Sequence, residues 1–304
     1  NPHTLHICHQ QYFEYLILYA QLYELTDRFD LAVDALVKAI AIINLKEGKE
    51  SKYYGIALEK LAGVYIKKGN FNKADGLLEK AVDIIKDEAG KKSLAYVNTL
   101  RTLAELYSIN GRFDDAEKMI KVATRLSKKL GSFVEAGNVS NSEELAELYI
   151  KTGQYDDAED ILTKTIAIRN VKFGDNHYQL IKPNNLLGRL YLTKGDFVKA
   201  EKATKIALNI SQIALSDTST QYLTNLTLLA DIYANMGDYK KAEQELEVLL
   251  KQNKKIFGAD NIAVVEPEIR LAKVKIARKE DPQEIFDLLE NSKNIVAKSL
   301  NEKH

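Results

Sequence analysis

The chain has 304 residues, and its 43 lysines and arginines equal its 43 aspartates and glutamates, so no net field favours nucleic acid or an anionic membrane surface. The single cysteine, Cys8, excludes an internal disulfide and argues against a cysteine-built zinc site, which suits a reducing, cytoplasmic setting. No run approaches the ~18 apolar residues of a membrane span, and a first residue of Asn rather than Met leaves open that the chain is part of a larger protein.

In chain order, the first eleven residues carry His3, His6, Cys8 and His9. Histidines three apart drift by ~60° per step around a helix. No acidic ligand or second cluster accompanies them, so a polar entry to the first helix, or the tail of a preceding one, is favoured over a metal site, and neither metal nor cofactor is assigned. Tyr12 to Leu25 follows as an unusually aromatic helix with Tyr12, Phe13, Tyr15, Tyr19 and Tyr23. It reads as an atypical end cap over the core, the other reading being an exposed contact patch.

From there the chain repeats every 42 residues without insertion or deletion. Tyrosines fall at Tyr23, Tyr65, Tyr107, Tyr149, Tyr191 and Tyr233, each three residues after a small residue at Ala20, Ala62, Ala104, Ala146, Gly188 and Ala230. Glycine follows at Gly69, Gly111, Gly153, Gly195 and Gly237, then an aromatic such as Phe113, then an alanine at Ala32, Ala74, Ala116, Ala158, Ala200 and Ala242. These ladders share one register, so the repeat overrides length-based estimates of domain number.

The pattern L-A-x-L/I-Y, four residues, then G-x-aromatic-x-x-A, with a further alanine at Ala39, Ala81, Ala123 and Ala207, resembles the tetratricopeptide repeat. The long period resembles the version found in kinesin light chains and in bacterial scaffold and signalling proteins. The resemblance covers nearly the whole chain. It implies an all-α fold, a right-handed α-solenoid of about seven antiparallel helix pairs in one domain over residues 1–304, with units at about 12–53, 54–95, 96–137, 138–179, 180–221, 222–263 and 264–304.

The residues explain that architecture locally. Val97, Leu100, Leu103, Ala104 and Tyr107 form one stripe on the first helix of a pair, helix A. Ala104 and Ala116 let the two helices approach closely, and Gly111 supplies the left-handed backbone that ends helix A. Helix B, for example 114–130, ends at a second periodic glycine, Gly48, Gly90, Gly174 or Gly258. Pro183 and Pro267 are expected at the first position of helix A, and Ser140 with Glu143 has capping-box spacing for the same start. In the seventh unit Lys275, Lys279, Asp281 and Glu284 replace the tyrosine, glycine, aromatic and alanine. This suits a cap facing water, with Asp281-Pro282 starting the last helix, although the ending Leu300 to His304 also resembles an internal exit loop such as Phe173 to His177. His177 itself reads as a solvated loop residue.

No phosphate loop, nucleophile elbow or metalloprotease motif is present, so the chain is expected not to be an enzyme. The fold the resemblance implies lines its concave face with A helices, which directs attention to positions that do not repeat. These are Asn98, Arg101 and Glu105; Ser140, Glu143 and Glu147; Lys182, Asn185 and Arg189; and Thr224, Thr227 and Asp231. Such mixed polar groups suit an extended peptide backbone and its charged side chains, with Lys182, Asn185 and Arg189 the densest donor set. The other reading is that they pair with acids such as Glu147 and Asp231 and only solubilise the groove. The expected partner is therefore a protein or peptide, with no nucleic acid and no membrane. The acidic Glu143, Glu144 and Glu147 interrupt any basic track, so the carboxylate clamp of some repeat proteins is not reproduced. The expected function is an interaction scaffold, the alternative being the sensory segment of a larger signalling protein.

Overall fold

A computed structural model describes the backbone at residues 2–25, 28–130 and 135–301, and side chains at 12–24, 28–127, 129–130 and 142–299. Its described residues form fourteen α-helices and no strand: α1 (Pro2–Leu25), α2 (Phe29–Glu47), α3 (Lys52–Lys67), α4 (Phe71–Glu88), α5 (Leu94–Ile109), α6 (Phe113–Lys129), α7 (Glu135–Lys151), α8 (Tyr155–Phe173), α9 (Ile181–Lys194), α10 (Phe197–Ala214), α11 (Thr220–Met236), α12 (Tyr239–Phe257), α13 (Val265–Arg278) and α14 (Pro282–Asn301). Two compact units result, Asn1–Leu148 and Tyr149–His304.

Within each unit an A helix packs on its own B helix, and that B helix packs on the next A helix. Ala32, Ala74, Ala116, Ala158, Ala200 and Ala242 are fully buried. In the first unit Ala62, Ala74, Leu78, Leu103 and Leu106 share a cluster flanked by Tyr65, Phe71 and Tyr107. In the second, Ala230, Tyr233, Ala242, Leu246 and Leu271 do the same, with Tyr239 against them.

The tyrosine-to-glycine interval has a backbone cause. The residue after each glycine donates its N–H to the tyrosine carbonyl: Arg112 to Tyr107 at 2.8 Å, Asp196 to Tyr191 at 2.9 Å, Asp238 to Tyr233 at 2.9 Å. That bond closes a Schellman turn and needs a left-handed residue between. Gly111 and Gly195 supply it at φ +75° and +77°. In the seventh repeat Lys279 adopts φ +58°, and Glu280 still bonds the Lys275 carbonyl at 3.1 Å.

Helix starts differ from expectation. Every A segment whose start is described beyond the first repeat, α7 apart, opens ten residues before its small rung, at Lys52, Leu94, Tyr178, Thr220 and Ile262. A cap precedes each. Ser51, Ser93 and Ser219 accept the N–H three residues on, at 3.3, 3.2 and 3.2 Å. Asn261 accepts the Ala263 N–H at 2.9 Å, and His177, through Nδ1, accepts that of Gln179 at 3.3 Å while its ring stacks on Phe173. His177 is thus a cap and not merely a solvated loop residue. These caps form a ladder of their own at the 42-residue step.

Pro183 and Pro267 are the third residues of α9 and α13, each behind a 3₁₀ turn, not the first as expected. A proline leaves the carbonyl four residues back without its helical donor. Buried helix-B side chains supply the bond: Arg169 Nη1 donates to the Gln179 carbonyl, and Asn253 Nδ2 to that of Ala263 at 2.7 Å. In the fourth repeat α7 already begins at Glu135, so Ser140 lies inside the helix and does not start it.

The aromatic first helix divides between its two readings. Phe13, Leu16 and Ala20 are buried, as a core cover requires, while Tyr12, Tyr15 and Tyr19 lie exposed in a ladder with ring centroids 6.4 and 4.5 Å apart.

Candidate partner-binding face

Three positions on each A helix stand off the core stripe: six and three residues before the small rung, and one after it. In the first unit they are largely engaged. Arg101 Nε donates to both carboxylate oxygens of Glu144 at 3.0 Å, and Thr102 donates to the buried Glu59 at 2.6 Å. Glu143 is buried, Asn98 and Glu147 are half-buried, and Glu105 is exposed. The Glu105 carboxyl is raised above its ordinary range, first by the protein atoms crowding it and then by Glu144, with Lys67 and Arg101 opposing. Arg101 is thus held by an acid of the next A helix, Glu144. The side chains of Ser140, His3, His6, Cys8 and His9 lie outside the described residues.

In the second unit Lys182 and Arg189 are exposed on α9, and between them Asn185 Nδ2 donates to Asn225 Oδ1 at 2.7 Å. Thr224 and Thr227 turn their hydroxyls back to α11, onto the carbonyls of Thr220 and Leu223 at 2.8 and 3.0 Å. Asp231 accepts from Arg270 of α13, and Arg270 also reaches Glu266 at 2.7 Å. Burial raises the Asp231 carboxyl, Arg270 opposes that shift and the Glu266 charge adds to it.

A cleft of about 520 Å³ opens between α11 and α13 beside this network, lined by Asp231, Ala234, Ile262, Glu266, Ile269, Arg270 and Lys273 among others. Of these only Asp231 was singled out from sequence, because the seventh repeat reads as a cap. The same off-stripe arithmetic, carried one step further, reaches Glu266, Ile269 and Lys273.

Of the seventh repeat's charged substitutions, Lys279, Asp281 and Glu284 are exposed, whereas Lys275 is enclosed and ion-paired. Lys275 Nζ, with its side chain only 12 % exposed, meets Glu243 at 3.1 Å, Glu280 at 2.8 Å and Glu284 at 3.0 Å. Asp281 caps α14, accepting the Gln283 N–H at 3.0 Å. Among the described residues no group of three or more His, Cys, Asp or Glu side chains is placed to hold a metal ion, and no helix is long and apolar enough to cross a membrane.

A family profile described as tetratricopeptide repeat matches residues 53–129, 138–213 and 184–255. The chain belongs to the tetratricopeptide repeat family, whose fold supports interaction-scaffold roles in general. Among solved structures it is similar to the repeats of a Podosopora anserina protein assigned as a kinesin light chain, at 22 % identity and TM-score 0.53, covering 66 % of this chain and 95 % of that one. It is similar to a signal-transduction ATPase with a tetratricopeptide repeat sensor from Pyrococcus horikoshii, at 15 % identity and TM-score 0.64, covering 94 % of this chain and 41 % of that one. It is also similar to a Rap protein complexed with competence and sporulation factor, at 14 % identity and TM-score 0.61, covering 91 % and 76 %. Identities this low carry the fold alone. No curated protein matches the chain in sequence.

Proposed function

We propose that this chain is a non-enzymatic interaction scaffold whose A-helix faces receive a peptide or helical segment of a partner protein. The observation that carries the reading is the contrast along each A helix. The buried stripe repeats at every step, whereas the position one after the small rung changes from Glu105 to Glu147 to Arg189 to Asp231, as a surface selecting a particular partner requires. Lys182 and Arg189 are exposed on either side of Asn185, and arginine suits a carboxylate. The Rap structure, determined with a bound factor, is a precedent for ligand binding on this fold.

The test uses the intact chain as bait and the protein it captures as titrant. Replacing Asn185 and Arg189 together by alanine should weaken binding about tenfold, ~1.4 kcal/mol, with the helical melt unchanged. Unchanged affinity in a folded double variant would reject this part of the face.

A second reading, the sensory or regulatory segment of a larger signalling protein, draws on the Pyrococcus ATPase, in which a comparable stretch corresponds to 41 % of the chain. An effector domain joined to these repeats in the full reading frame supports it, and a frame holding repeats alone counts against it.

A further inference from the structure

The cleft between α11 and α13 sits where the chain departs from its adjacent repeats twice. Three residues before the small rung, repeats two to six carry Glu59, Arg101, Glu143, Asn185 and Thr227, all polar, and the seventh carries Ile269, 37 % exposed. Four residues beyond the rung, the repeats on either side carry Leu192 and Ile276, and the cleft has Ala234. The small residue leaves open the space that a leucine would fill, and the isoleucine turns apolar surface toward it. Ile262, 52 % exposed, adds to that surface.

The charges at the rim are unequal. Arg270 is held by Asp231 and Glu266 together, while Lys273 makes no ion pair among the described residues. A cationic ligand would meet both Arg270 and Lys273. A carboxylate would give Lys273 a direct ion-pair partner, in addition to its through-space interaction with Asp231.

We propose that this cleft binds a large apolar side chain of a partner peptide over Ala234 and Ile269, with an adjacent peptide carboxylate meeting Lys273. The proposal rests on the interaction-scaffold reading and names the site and ligand class within it. The volume, about 520 Å³, lies in the range of sites that enclose a compact group.

Three fluorescein-labelled peptides in identical Gly/Ser flanks, with centres Glu-Leu-Glu, Lys-Leu-Lys and Glu-Ser-Glu, test it by anisotropy against the full chain. The Glu-Leu-Glu peptide should bind at least about tenfold more tightly than the other two. Ala234→Leu, which installs the residue of the preceding repeat, should remove that advantage with the melt unchanged, and Lys273→Glu should move the preference toward Lys-Leu-Lys. Equal binding of the three peptides, binding of none, or full binding by Ala234→Leu overturns the proposal. Binding kept in Ala234→Leu and lost in the Asn185→Ala, Arg189→Ala double variant overturns this cleft but leaves the scaffold reading standing. Binding that neither set of changes touches removes both.

Discussion

Lys275 meets Glu243 at 3.1 Å in the place where Tyr191 donates to Glu159 at 2.8 Å and Tyr233 to Glu201 at 3.0 Å. All three pairs span 32 residues, joining an A helix to the preceding B helix. The tyrosine ladder therefore carries a hydroxyl function as well as ring packing, and the seventh repeat keeps that function with a different donor. Lys275→Ala should lower the melting temperature by about 2 to 4 °C, the shift expected for a loss of ~1 kcal/mol in a unit of this size. Lys275→Tyr should recover part of the loss, since the repeat makes the same bond with tyrosine. Equal melts for parent and Lys275→Ala would show that the cluster contributes nothing.

The same pair gives a pH dependence. Burial first, and the bond to Glu159 second, push the Tyr191 hydroxyl up from 10.0 to about 12. The folded value lies above the unfolded one, so the stabilisation is complete below about pH 10 and lost as the pH rises through the folded value. Melts across the alkaline range should show the parent losing stability faster than Tyr191→Phe. A parent-minus-variant difference that stays constant there would contradict this.

Gly188 stands on a rung occupied elsewhere by alanine, yet alanine is not expected to be tolerated there. A Cβ at this position would lie 2.2 Å from Thr204 Oγ1 and 3.2 Å from Leu228 Cδ2. Thr204 is fully buried, so little room exists for it to move. Gly188→Ala should cost about 1 to 3 kcal/mol through overpacking, measured by denaturant unfolding. Thr204→Ala in the same chain should relieve most of that cost.

Asn253 and Pro267 act as a pair through the Ala263 carbonyl. Removing the Asn253 amide strands a carbonyl that the proline cannot serve, and Asn253→Ala should cost about 1 to 3 kcal/mol. Pro267→Ala restores an N–H four residues on, so the Asn253→Ala loss should shrink in that background. A double-mutant cycle with no coupling would refute the account.

The helix-pair scaffold was legible from sequence because each contact recurs at the same step: Ala104 meets Ala116 within its own repeat, and Gly111 ends helix A by backbone conformation alone. The cap ladder from Ser51 to Asn261 was equally periodic but passed unread, since serine, histidine and asparagine look unlike as letters and act alike only as hydrogen-bond acceptors. The candidate face was legible as positions and not as chemistry. Asn98, Arg101, Glu105, Glu143, Glu147, Lys182, Asn185, Arg189 and Asp231 follow from the register, whereas the engagement of Arg101 with Glu144 and of Asp231 with Arg270 depends on side-chain reach between helices.

Local periodicity was thus enough to establish the family and the pairing of helices, because an A/B pair is built from contacts close along the chain. Other features waited on three dimensions. The proline-orphaned carbonyls find Arg169 and Asn253, Lys275 inherits a tyrosine's acceptor, and Ala234 with Ile269 opens a cleft. Each joins residues from different helices, where only the packing distance decides whether two side chains meet.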